Sequence, residues 1–243
     1  PTLTDCTFTG NSADYGGGMY NLDLSSPTLT NCNFTSNSAE YGGGMRNSSS
    51  SSPTLTNCTF TSNSADIGGG MANKDSSSPT LTDCTFTGNS ADQGGGMFNF
   101  NTIMILTNCT FTGNLATVGG GMRNRRDLSR LTNCTFTNNL AEFGGGIFNV
   151  FSSNPGLIDC TFTNNSADEG GGMYNRYDGY EFTLYQYLPG DSATLSDNHI
   201  TCISEDIQGN LWVGTEGGGL NLYDRRKNCF RRFMHSTDDS TSL

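Results

Sequence analysis

Residues 51–73 read Ser-Ser-Pro-Thr-Leu-Thr-Asn-Cys-Thr-Phe-Thr-Ser-Asn-Ser-Ala-Asp-Ile-Gly-Gly-Gly-Met-Ala-Asn, and the first 175 residues repeat this stretch seven times with small changes. Its cysteine recurs as Cys6, Cys32, Cys58, Cys84, Cys109, Cys134 and Cys160, a spacing of 25 or 26 residues. A fixed period of that length marks a stacked array, in which each unit buries its apolar side only against its neighbours. The unit is too short for two packed helices and is written in strand residues with a period of two. A β-solenoid of seven coils follows. Function is therefore to be sought on a long surface.

The second coil shows the expected layout. Three strands are predicted, at Thr28 to Thr30, Cys32 to Thr35 and Gly43 to Asn47, with Leu29, Cys32, Phe34 and Met45 pointing inward. Each position stacks on its copy one coil away, at the strand spacing of about 4.8 Å. Phe8, Phe34, Phe60, Phe86, Phe111, Phe136 and Phe162 form one file, and the residues from Met19 to Met173 form another. Asn11, Asn37, Asn63, Asn89, Asn114, Asn139 and Asn165 are assigned to a bend, where Asn tolerates left-handed backbone and stacked amides can form a ladder. Glycine triplets such as Gly42 to Gly44 permit a tight corner or a close backbone approach.

Nine cysteines raise the question of a disulfide scaffold. Inward Cβ atoms on successive coils sit near the 4.8 Å repeat, beyond the ~3.5 to 4.5 Å that a disulfide wants. The expectation is a buried file of free thiols that pack as small hydrophobes. Cys202 and Cys229 lie outside the file.

The chain has 12 basic and 23 acidic side chains, a net charge of −11, which disfavours nucleic acid and anionic membrane as partners. The one basic cluster, Arg123, Arg125, Arg126 and Arg130, reads as a solvated loop insertion. Asp14, Glu40, Asp66, Asp92, Glu142 and Asp168 form a carboxylate file that Ca²⁺ could bridge, yet the pattern lacks the alternating Gly-Asp repeats of calcium-loaded β-rolls. A cofactor is not expected. Catalysis on a β-helix needs a local break in the repeat that sets acid and base apart. Here the coils are near copies, and His199 and His235 lie outside them, so an enzyme is not expected. No apolar stretch of membrane-spanning length is present.

Phe-Thr-x-Asn followed by Gly-Gly-Gly-Met, as in Phe8 to Asn11 with Gly16 to Met19, resembles the paired Phe-x-x-Asn and Gly-Gly-Ala-Ile motifs of polymorphic outer-membrane protein repeats. The resemblance covers residues 1–175 and departs in its Gly-Gly-Gly-Met. It implies a right-handed parallel β-helix on a secreted or surface-exposed bacterial protein, many of which are adhesins.

After Asn175 the composition turns aromatic, and Asn198 to Asp224 resembles the propeller repeat of two-component regulators. Four strands of one blade are predicted at Ile200 to Glu205, Leu211 to Thr215, Leu220 to Asp224 and Cys229 to Met234. Phe182 to Leu195 echoes Phe230 to Leu243, 48 residues on. A propeller needs about four to eight blades to close, so the segment reads as one blade or a remodelled cap.

These readings give an all-β chain, with a right-handed parallel β-helix over 1–175 and a blade-like segment over 176–243. They suggest a piece of a longer repetitive protein. The expected function is a non-catalytic, extracellular or cell-surface shaft that associates end to end into filaments. An adhesin or glycan-binding ectodomain is the alternative, and a polysaccharide lyase or hydrolase a minor one.

Overall fold

A computed structural model describes residues 1–176, 190–224, 227 and 229–234. The chain divides into two compact units at residue 180. Among the described residues there is no helix, and the strands form five sheets.

In the first unit each of the early coils contributes four short strands. In the second coil these are Thr28–Thr30, Asn33–Thr35, Ser38–Tyr41 and Met45–Asn47. Copies from successive coils pair in parallel and in register, giving a Leu, a Phe, an Ala and a Met sheet, each named for its repeated residue. The Leu, Phe and Met sheets have seven strands and the Ala sheet five, the last extended by isolated bridges at Leu140, Phe143, Ser166 and Glu169. This is a parallel β-solenoid of about seven coils.

The alternation fixes the core. Leu29, Cys32, Phe34 and Met45 are fully buried, as are their copies through the sixth coil. The phenylalanines stack face to face, with centroids 4.6 to 4.9 Å apart and planes within 5° of parallel. A parallel stack is not the arrangement an aromatic pair prefers by itself. Backbone pairing at the strand spacing imposes it.

Three details differ from the sequence reading. The Ala sheet is a fourth strand that the sequence hid, because Ser38, Ala39 and Glu40 lack bulky apolar alternation, and Ala39 is not part of the Leu, Cys, Phe and Met core. Cys32 precedes its strand instead of opening it, and the Met strand starts after the glycines. Left-handed backbone falls on the residue before the asparagine, Ser36 with φ 54° and Ser62 with φ 54°, and not on Asn37 or Asn63. The corner needs one left-handed residue. Placing it one position early leaves the asparagine free to turn its amide inward.

Asn63 shows what that amide does. Its Nδ2 donates to Phe34 O at 2.9 Å and to Asn89 Oδ1 at 3.0 Å, while its Oδ1 accepts from Asn37 N and Asn37 Nδ2, both at 3.0 Å. The same set recurs from Asn37 to Asn139. A second column runs through Asn21, Asn47, Asn73, Asn99, Asn124, Asn149 and Asn175, buried as far as Asn149, with amide contacts of 2.8 to 3.0 Å. The glycines close the corner between the Ala and Met sheets. A Cβ on Gly44 would lie 2.5 Å from Gly70 O and 2.7 Å from the Phe60 ring, and Gly42 has φ 70°. The nine cysteines are free. Cys58 Sγ donates to Thr56 O at 3.4 Å, and contact with the Cys84 thiol, followed by burial, pushes the Cys58 pKa up.

The second unit is a four-stranded antiparallel meander of Ile200–Glu205, Leu211–Thr215, Gly219–Asp224 and Cys229–Phe233. Leu195, Val213 and Phe230 form its small core. Asp206 organises the first hairpin: its carboxylate accepts from Gln208 N at 3.0 Å, and from Asn210 N, Asn210 Nδ2 and Trp212 Nε1, each at 2.9 Å. The Phe182 to Leu195 echo lies mostly outside the described residues, as do His235 and the end of its copy.

Two outcomes follow from these contacts. Asn63→Leu leaves Asn37 N without a partner, takes one of the two acceptors of Asn37 Nδ2, which keeps Phe8 O, and takes one donor from Phe34 O, so the solenoid should lose about 2 to 3 kcal/mol, at ~1 to 3 kcal/mol for a buried orphan. Denaturant unfolding reads it, and a loss under about 1 kcal/mol would show that the ladder is not stabilising. In the meander, the Trp212 indole, followed by the Asn210 amides, lowers the Asp206 pKa to about 2. A lowered folded pKa means the stability it brings is complete above the ordinary carboxylate range, near 4, and is lost as pH falls through that range towards 2. Trp212 is the only tryptophan, so Asp206→Ala should shift its emission to the red at pH 7. No shift would refute the hairpin role.

Candidate functional site

The buried ladders absorb the apolar and amide positions at which the coils agree, while Thr and carboxylate files repeat on the outside. One set of positions at which the coils differ gathers on one face. Just before the glycines stand Tyr15, Tyr41, Ile67, Gln93, Val118, Phe143 and Glu169, paired in register along the Ala sheet and its bridges. Just after the Met position stand Tyr20, Arg46, Ala72, Phe98, Arg123, Phe148 and Tyr174, paired along the Met sheet. Two residues further on come Lys74, Phe100, Arg125, Val150 and Arg176. The tight glycine corner brings these rows together.

They line two cavities that share Arg123. One, of about 420 Å³, is bounded by Tyr41, Arg46, Lys74, Gln93, Phe98, Phe100, Arg123 and Arg125 among others. The other, of about 530 Å³, is bounded by Val118, Arg123, Phe143, Phe148, Val150, Phe151, Tyr174 and Arg176. Neither lining contains a carboxylate or a histidine. In a chain of net charge −11 this is a local reversal of sign.

The arginines lie against rings. The Arg46 guanidinium sits 4.3 Å from the Tyr15 centroid, 4.9 Å from Tyr41 and 5.4 Å from Tyr20. Arg125 sits 4.4 Å from Phe151 and 5.1 Å from Phe100. Arg123 lies 5.4 Å from Phe98 and 6.0 Å from Phe148, and donates to Gln93 Oε1. Such contacts hold a guanidinium by its face and leave its edge donors free. Arg46 Nη1, Arg123 Nε and Arg125 Nε are buried and have no hydrogen-bond partner among the described residues. Burial, followed by the charge of Arg125, lowers the Arg123 pKa to about 10. The arrangement suits an anion carrying flat apolar surface.

The basic cluster expected as a loop is thus corrected. Arg123 and Arg125 belong to the Met122–Arg125 strand of the Met sheet, Arg126 has left-handed backbone with φ 52°, and Arg130 opens the Arg130–Thr132 strand. The sequence signal for the groove was the disagreement between copies, at positions that a search for shared residues passes over. The carboxylate file does not join the groove. Asp14, Glu40, Asp66, Asp92, Glu142 and Asp168 are all exposed, and no cluster of three or more metal-ligating side chains forms among the described residues. The Cys, Phe and Asn files lie in the interior and at its corners, outside both cavity linings. No helix among the described residues is long and apolar enough to cross a membrane.

Phe151 holds a left-handed backbone with φ 55°, an uncommon state for a bulky residue. The same turn is left-handed at Asp23, Ser49, Asp75, Asn101 and Arg126, so the state belongs to the repeat and Phe151 is its bulkiest occupant. Phe151→Gly relieves about 1 kcal/mol or more of strain and loses a cation–π contact of ~0.5 to 1 kcal/mol. Thermal unfolding of the variant should therefore be unchanged or shifted upward. A loss of several kcal/mol would show that the ring is part of the core.

Comparison with known proteins matches two parts of the chain. The family described as "Right handed beta helix region" matches residues 1–103 and 64–188. The "Two component regulator propeller" description matches residues 194–217, which take in the first two strands of the antiparallel meander. A search of curated proteins found no match. The family match spans the solenoid and most of the chain, so this protein belongs to the right-handed β-helix family.

Proposed function

We propose that the protein is a non-catalytic, extracellular repeat protein whose solenoid serves as a rigid support for the arginine and aromatic groove, with adhesion as its role. The observation that carries this reading is the division of labour within the repeat. The Leu, Cys, Phe and Met files of the core are nearly invariant from coil to coil, whereas the groove row runs Tyr20, Arg46, Ala72, Phe98, Arg123 and Phe148 in the Met sheet, with Ala72, Phe98 and Phe148 buried at its floor. A coil that is conserved inside and varied along one outer face is built to present a surface. The resemblance to polymorphic outer-membrane protein repeats supports the same role.

The seven coils advance by six steps of about 4.8 Å, or roughly 29 Å.

Beads coated with the full chain should be retained on surfaces carrying a panel of polysaccharides and glycoproteins. The variant Tyr41→Thr, Arg46→Thr, Phe98→Thr, Arg123→Thr should lose that retention while keeping its β-sheet circular dichroism. Equal retention of a folded variant, or release of new reducing ends from any polysaccharide in the panel, would overturn the reading.

A further inference from the structure

We propose that the outer face of the Phe sheet binds ice, its paired rows of threonine side chains holding a two-dimensional lattice of water. This face is separate from the groove and does not depend on the role proposed above.

The strands that carry the phenylalanine core also build this face. Seven of them, from Thr7–Thr9 to Thr161–Thr163, pair in parallel and in register without a bulge. The central phenylalanine of each points inward, and the residues on either side point out, exposed or half-buried. Those outward residues are threonines in every strand but the second, where Asn33 stands opposite Thr35 and accepts from the Thr59 hydroxyl at 2.7 Å. No charge interrupts either row.

The spacing of the rows is set by the core beneath. Successive coils are 4.6 to 4.9 Å apart at the phenylalanine centroids, and the two threonines of one strand are about 6.6 Å apart, twice the rise per residue. Hexagonal ice presents oxygen positions at spacings close to both repeats. A threonine hydroxyl can donate to and accept from such waters, while its methyl fills the gap between them. The branched Cβ restricts χ1, so the array loses little freedom when a lattice settles on it.

Strand preference alone does not explain the rows. Threonine is favoured in strands generally, yet the outward positions of the neighbouring Leu sheet include Ile105, Arg130, Gly156 and Ile158. The same coils have also diverged along the groove, as Arg46, Ala72 and Phe98 show. Outward threonines pack no core, so the fold does not require them to stay alike. A single flexible polymer would need only one row and would be gripped better by charge or rings, which this face lacks. Two rows that repeat in both directions match a crystal surface, and a lattice of water needs no partners beyond hydroxyls and methyls.

The test is thermal hysteresis of the full chain by nanolitre osmometry, with partition into slowly grown ice as the second reading. The chain should hold the freezing point below the melting point and become enriched in the ice. Thr85→Tyr/Thr110→Tyr puts two rings in the middle of one row and should cut hysteresis at least about tenfold with β-sheet circular dichroism unchanged. Thr87→Lys/Thr112→Lys does the same to the other row, and serves if the Tyr variant does not fold. Asp66→Asn/Asp92→Asn, on the exposed carboxylate file of the Ala sheet, should leave hysteresis unchanged. Absence of either reading in the folded chain would overturn the proposal. So would undiminished hysteresis in a folded Tyr or Lys variant, an equal loss in the Asn variant, or retention on crystalline cellulose with no enrichment in ice.

Discussion

Each coil of this protein is set in register with the next by buried asparagine amides that leave almost no hydrogen-bonding capacity unused. Asn63 makes four such contacts, to the Phe34 carbonyl, to Asn89 and to both donors of Asn37. A slip by one residue would orphan all of them at once, in every coil. Backbone pairing alone would tolerate several offsets in a sequence so rich in Thr and Ser. The amide columns remove that freedom and so fix which phenylalanines the backbone pairing brings into the stack.

Register then decides what the surface looks like. The glycine corner lets the Ala and Met sheets meet so closely that a Cβ on Gly43 would lie 2.4 Å from Ser64 O. Residues on either side of the corner are forced into one groove whatever their chemistry. Evolution of such a groove needs changes at two or three outward positions per coil, with no repacking beneath. Arg46 among three tyrosines and Arg123 between Phe98 and Phe148 are two different solutions on one support.

The sequence is explicit about the parts that repeat. The apolar files of Leu29, Cys32, Phe34 and Met45 are legible because a period of two and a period of 26 coincide there. The meander is legible for a different reason, the resemblance of Asn198 to Asp224 to a propeller repeat, while the contacts of Asp206 with Asn210 and Trp212 emerge only in the fold. The Ala strand is not legible, since Ser38 to Tyr41 carries no buried bulk. The second asparagine column, from Asn21 to Asn175, is visible as a recurrence yet says nothing of burial until the Met sheet turns it inward. The groove is hidden for a deeper reason. Arg123 and Tyr41 are far apart in sequence and unlike in type, and only the corner geometry puts them in neighbouring rows.

The central claim is that register and binding surface are separable, the one held by buried ladders and the other written freely on top. Saturation mutagenesis of coils two to six, read out as folded fraction by protease resistance, tests it most directly. The account requires Asn63, Asn73, Phe60 and Gly70 to tolerate almost no replacement, while Tyr41, Ile67, Gln93 and Phe100 accept most residues with little loss of folding. If the groove positions prove as intolerant as the ladder positions, the groove is part of the structural core and the separation fails.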